Sequence, residues 1–163
     1  MTIDMDYPLQ SMLRIRTMRE DRAGSALTAA RQARTLAEAE LERRREERAR
    51  YLETSEERRD EVYLQVMGIP VTMDQLDRVR AAVAKIDEEG VALQRAELDA
   101  EDALEARTRE ADAARRTFAL ASRNRMKIDE HKNIWTEEVR IEEERAADAE
   151  MEEFTGKTKE TEQ

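Results

Sequence analysis

The chain has 163 residues, 42% of them charged and only 4% aromatic, with a formal net charge of −10. A soluble domain averages roughly 25% charged residues, so this chain lacks the large apolar side chains that fill a thick core, although it can fill a thin seam between helices. Such acidity opposes nucleic-acid binding, because phosphate is repelled, and with no cysteine and one histidine the chain excludes disulfides, thiolate metal sites and His clusters.

High charge with low hydropathy also marks disordered chains. Helix is favoured here because the charged residues are mainly Glu and Arg mixed with Ala and Leu, all good helix formers, and because the apolar residues are periodic. By segment, residues 1–67 carry about −1 and residues 68–163 about −9, densest in IEEERAADAEMEE. No apolar run reaches the 18 residues of a membrane span, and MTIDMDYPLQ lacks the apolar stretch of a secretory signal, so the expected location is cytoplasmic without direct membrane insertion.

In chain order, residues 1–7 read as frayed, and Pro8 suits the first turn of a helix, where its missing N–H costs nothing. A first helix is expected over about 8–67, roughly 90 Å at 1.5 Å per residue. Leu9, Met12, Ala23, Ala26, Ala30, Ala33, Ala37 and Leu41 form its stripe, which Arg16 and Arg19 interrupt; Tyr51, Leu52, Val62 and Val66 resume it after the charged run LERRREERAR. The one clear break is MGIPVTMDQ, a turn over 68–72: Gly68 can cap the helix, Pro70 forbids simple continuation, and Thr72 with Gln75 has the spacing of a capping box.

The second helix, about 73–153, carries the stronger signal. Leu76, Val79, Val83, Ile86, Leu93, Ala100, Leu104, Ala111, Ala114, Phe118, Ala121, Ile128, Trp135 and Val139 follow an alternating three-and-four spacing that predicts a coiled-coil seam. Gly90, Glu97, Arg107, Arg125 and Lys132 interrupt it, and Gly90 marks a candidate kink; the tail 154–163 reads as disordered. The fold class expected is all-α: one domain, a long antiparallel two-helix coiled-coil hairpin. Pairing positions to a constant sum of about 144 sets Ala30 against Ala114, Ala33 against Ala111, Ala26 against Phe118 and Leu9 against Trp135. It also brings Ala37 to Arg107, whose stem can lie along the seam while its charge reaches water.

Two stretches carry a family resemblance. MLRIRTMREDRAGSAL at 12–27 and KIDEHKNIWTEEVRIEEERAADAEMEEF at 127–154 resemble the ends of the type III secretion stalk proteins, the SctO (YscO) family, whose flagellar relative is FliJ. The resemblance implies a non-enzymatic helical hairpin similar to the central shaft of rotary ATPases. Its termini would sit in the pore of a hexameric export ATPase, and its turn would reach the cytoplasmic ring of the export-gate protein; some members also bind export chaperones. The implied location is the cytoplasmic face of the inner-membrane secretion apparatus, with no cofactor.

On that basis the turn residues Val62, Tyr63, Val66, Met67, Ile69, Val71, Met73 and Leu76, the densest apolar patch of the chain, are candidates for export-gate binding; the alternative is that they close the hairpin. Leu13, Arg14, Arg16, Arg19, Arg22 and Trp135 are candidates for ATPase binding. Against this, the arginines can be a solvated helix face and Trp135 plain seam packing. His131 reads as a surface or interhelical residue, and Arg43–Arg44–Arg45, followed by Glu46 and Glu47, as a salt-bridged face. Two helices offer no cleft for acid–base chemistry, and no phosphate-binding glycine loop is present. The rival readings are a cytoplasmic coiled-coil scaffold or peripheral stalk without ATPase coupling, and an amphipathic membrane-surface helix, which the acidic charge and narrow seams disfavour.

Overall fold

The computed structural model describes residues 6–160, with side chains through Glu153. Two helices account for the fold, α1 (Gln10–Leu64) and α2 (Met73–Glu160), with no strand among the described residues. Residues 1–5 and 161–163, where fraying and a loose tail were expected, lie outside the described residues. Tyr7, grouped with the frayed start, is instead buried.

Local chemistry sets the ends of both helices. Pro8 lies in the turn that leads into α1, where the Gln10 N–H donates to the Tyr7 carbonyl at 3.0 Å and the Leu13 N–H to the Leu9 carbonyl at 2.9 Å. α1 closes at Leu64, short of the Met67 expected, because the Val66 and Met67 N–H groups both turn back to the Tyr63 carbonyl, at 3.1 and 3.2 Å. Gly68 then takes φ 75°, a left-handed conformation that costs glycine nothing. Thr72 and Gln75 form the reciprocal cap: the Gln75 N–H donates to Thr72 Oγ1 at 3.3 Å, and the Thr72 N–H to Gln75 Oε1 at 2.9 Å. α2 is unbroken at Gly90 and continues past Glu153 to Glu160.

Among the described residues packing gathers into two units, one of residues 6–26 with 115–160 and the other of residues 27–114. In each, a piece of α1 runs antiparallel to a piece of α2. In the first unit Tyr7 meets Trp135, and a Cβ built on Gly24 would stand 3.4 Å from the Phe118 ring. These partners sit two positions earlier along α1 than Leu9 and Ala26, so the true register is offset by that much from the one expected.

The seam of α2 follows its heptads. Val79, Ile86, Ala100 and Ala111 are buried, and the remaining predicted positions from Leu76 to Val139 are half-buried. Arg107 departs from the pattern: it is exposed and pairs with Glu110 at 2.8 Å, while Thr108 turns inward and bonds the Leu104 carbonyl. A charge that can be satisfied one turn along its own helix has no reason to lie in the seam. In α1, Leu13, Arg16, Glu20 and Leu27 take the inward places, while Met12 and Ala26 are exposed, as is Leu52.

In the second unit Tyr51 is buried and its hydroxyl donates to the Ile86 carbonyl at 2.8 Å. Its ring fills the place of a side chain on Gly90: an added Cβ would come within 2.5 Å of the hydroxyl oxygen and 2.7 Å of Cζ. Gly90 is therefore the hole for an aromatic knob. Nearby, Glu97 is only 15% exposed and is held by Arg48 at 2.8 Å and Arg45 at 3.7 Å. Arg45 also reaches Glu101, Arg58 reaches Glu89, and Arg59 reaches Asp87.

Four variants are distinguished by unfolding monitored by circular dichroism. Gly90→Ala destabilises by about 1–3 kcal/mol through overpacking against the Tyr51 ring. In a Tyr51→Leu background the same change stabilises by about 1 kcal/mol, the helix propensity of Ala over Gly. Glu97→Leu is neutral or stabilising, because the seam position becomes apolar while Arg45 and Arg48, 49% and 36% exposed, turn to water, whereas Arg45→Ala with Arg48→Ala costs about 1–3 kcal/mol by leaving a largely buried carboxylate unpaired.

Candidate interaction surfaces

In the first unit, aromatic packing secures the entry to α1 at Tyr7. Tyr7 donates or accepts at His131 Nδ1 over 2.8 Å, its ring lies 5.4 Å from that of Trp135 at an interplanar angle of 57°, and Lys132 Nζ donates to Gln10 Oε1 at 3.1 Å. His131 is thus interhelical, and Trp135, half-buried, packs on Tyr7. The sequence signal for this cluster was a tyrosine directly before Pro8, within a segment that otherwise looks frayed.

Above the cluster, Glu20 and Arg125 face each other, with Arg125 Nε 2.6 Å from Glu20 Oε2. Leu13 is half-buried beneath its neighbours; Arg14, Arg19 and Arg22 are exposed and Arg16 is half-buried. Among the described residues none of these four arginines has a carboxylate within ion-pair distance, unlike most arginines further along α1. Arg16, Arg19 and Arg22 form one wall of a groove of about 450 Å³ whose floor and far wall are Ala23, Leu120 and Ala121 with Thr117 and Asn124. The structure therefore brings Arg16, Arg19 and Arg22 to one groove, and Trp135 to a different contact, with Tyr7.

In the second unit the turn between the helices is apolar and open. Met67 and Met73 are each 67% exposed and Ile69 56%, with Tyr63, Leu64 and Val71 also exposed. Val62, Val66 and Leu76 are half-buried, so part of the patch closes the hairpin and part faces outward. The basic run is salt-bridged: Arg43 and Arg44 pair with Glu40 and Glu47, and the hydrogen bond from Arg43, followed by that from Arg44, holds the Glu40 carboxyl below the usual carboxylate range. A hydrogen bond from Arg140 does the same for Glu137.

Among the described residues no group of three or more His, Asp or Glu side chains is placed to hold a metal ion, and no helix is long and apolar enough to cross a membrane. The fold is an all-α helical hairpin with an outward apolar turn in the second unit and an arginine-lined groove in the first. The family model for type III secretion protein YscO matches residues 9–157, and the chain belongs to that family; it is a component of type III secretion. A solved structure described as a YscO homolog, CT670 from Chlamydia trachomatis, shares the fold with a TM-score of 0.69 at 21% identity, over 92% of each chain. No curated protein sequence matches.

Proposed function

We propose that this protein is the non-enzymatic central stalk of its secretion apparatus, coupling a hexameric export ATPase to the cytoplasmic ring of the export gate. The observation that carries this reading is the pair of surfaces of unlike chemistry, one on each packing unit: arginines with no carboxylate partner among the described residues on the first and an exposed apolar turn on the second. Arg14, Arg16, Arg19 and Arg22, supported by Leu13 and Trp135, would meet acidic surface in the ATPase pore, where charge steers docking. Met67, Ile69 and Met73, with Tyr63 and the half-buried Val62, Val66 and Leu76, would dock on the gate, where flexible methionines adapt to the partner. Export chaperones are a further partner class in this reading, and its site of action is the cytoplasmic face of the inner-membrane apparatus.

Coupling follows from asymmetry. A hairpin of two unlike helices cannot present the same face to six equal subunits, so its contacts differ between subunits and bias their states unequally; that differential contact is what linkage requires. The exposed positions allow a clean test. Met67→Asp with Ile69→Asp and Met73→Asp keeps ATPase binding and stimulation but lowers affinity for the isolated gate ring at least tenfold. Arg14→Glu with Arg19→Glu does the reverse. Both are read by pull-down, ATPase turnover and export assay; gate binding unaffected by the turn variant, or turnover unaffected by added wild-type protein, overturns the proposal, the second result in favour of an uncoupled scaffold.

A further inference from the structure

The first unit holds two regions of opposite charge that mirror each other. Residues 12–27 and 115–127 together carry nine cations and two carboxylates, Glu20 and Asp21; residues 137–153 carry nine carboxylates and two cations, Arg140 and Arg145. The acidic region is helix without a helical neighbour: α1 starts at Gln10, Tyr7 lies against Trp135, and among the described residues no part of α1 runs beside α2 beyond Val139. The basic region contains the groove lined by Arg16, Arg19, Arg22 and Leu120.

The two regions also match in length and in apolar pattern. Met12–Ala26 and Val139–Glu153 are equal stretches of helix, each about 22 Å at 1.5 Å per residue. Outside the seam, Leu120, Lys127, Ile134 and Ile141 recur every seven residues and so share one face of α2. Leu120 and Ile134 on that face are 56% and 54% exposed, and Glu144, Asp148 and Glu152 continue the same side at helical spacing.

We infer that the acidic segment Val139–Glu153 of a second copy of this chain lies in the arginine groove of the first, and that the contact is reciprocal. With the two α2 helices antiparallel, the midpoint between Leu120 and Ala146 falls beside Ile134, so a two-fold axis there lets both acidic segments reach both grooves at once and sets the two Ile134 side chains near each other. The apolar face supplies the centre of the contact and the charges fix its polarity. Because the groove shares its arginines with the ATPase surface, and in this one respect the inference rests on the function proposed above, the paired form and the ring-bound form exclude each other. The pairing itself needs no ATPase and is measured without one.

Sedimentation equilibrium of the full chain tests it. The expected result is a reversible dimer at low salt whose dissociation constant rises at least tenfold when about 0.5 M salt screens the charges. Arg16→Glu with Arg19→Glu and Arg22→Glu is monomeric alone, as is Glu144→Arg with Asp148→Arg and Glu152→Arg, each with unchanged helicity by circular dichroism. An equimolar mixture of the two dimerises again, because both reciprocal contacts then join opposite charges. A wild-type chain that stays monomeric at low salt, or a mixture that fails to associate while both variants keep their helicity, overturns the inference; neither result bears on ATPase stimulation, which is assayed separately.

Discussion

Everything in this structure depends on one stripe of side chains per helix. Both helices are charged over most of their circumference, so the seam between them is a single layer thick and holds few large residues. Much of it is alanine, which lets backbones approach but buries little area. Such a seam specifies alignment poorly, since one alanine replaces another at little cost. The aromatic residues carry the alignment instead. Of six in the chain, Tyr7, Tyr51, Phe118 and Trp135 lie in the seam, and two of them are seated against a glycine. Large knobs in specific holes turn a permissive contact into a defined one.

Charge plays two roles that burial separates. Where a carboxylate enters the seam, at Glu97 or Glu20, arginines from the opposite helix hold it, and these pairs add direction to the packing. On the outer faces, pairs such as Arg43 with Glu40 or Arg140 with Glu137 run along one helix, exposed, and chiefly support helicity and solubility. The arginines between Arg14 and Arg22 belong to neither set, which is why they stand out as a surface for another molecule.

Much of this was legible in the sequence because it rests on short-range rules. The heptads of α2 predicted its buried side nearly residue by residue, and Thr72 with Gln75 announced a cap that the backbone then forms. What was not legible came from the opposing helix. Met12 and Leu13 are both apolar neighbours, and only the position of α2 decides that Leu13 turns inward. Gly90 reads as a weak point when α2 is taken alone; its meaning lies with Tyr51, far away in sequence. Arg107 was expected in the seam by count, yet Glu110 satisfies it outside. The surface arginines were visible as a row, but that no carboxylate pairs with them among the described residues is a property of the assembled pair.

The seat of Tyr51 has a mechanical meaning. Sliding the helices of that unit past each other by one heptad would bring the phenol ring to Val83 or Glu97, and both carry a Cβ where the ring must lie. No neighbouring notch exists for it to drop into. A pull applied along one strand of the pair is therefore passed to the other instead of being lost as creep, in the manner of a key seated in a keyway.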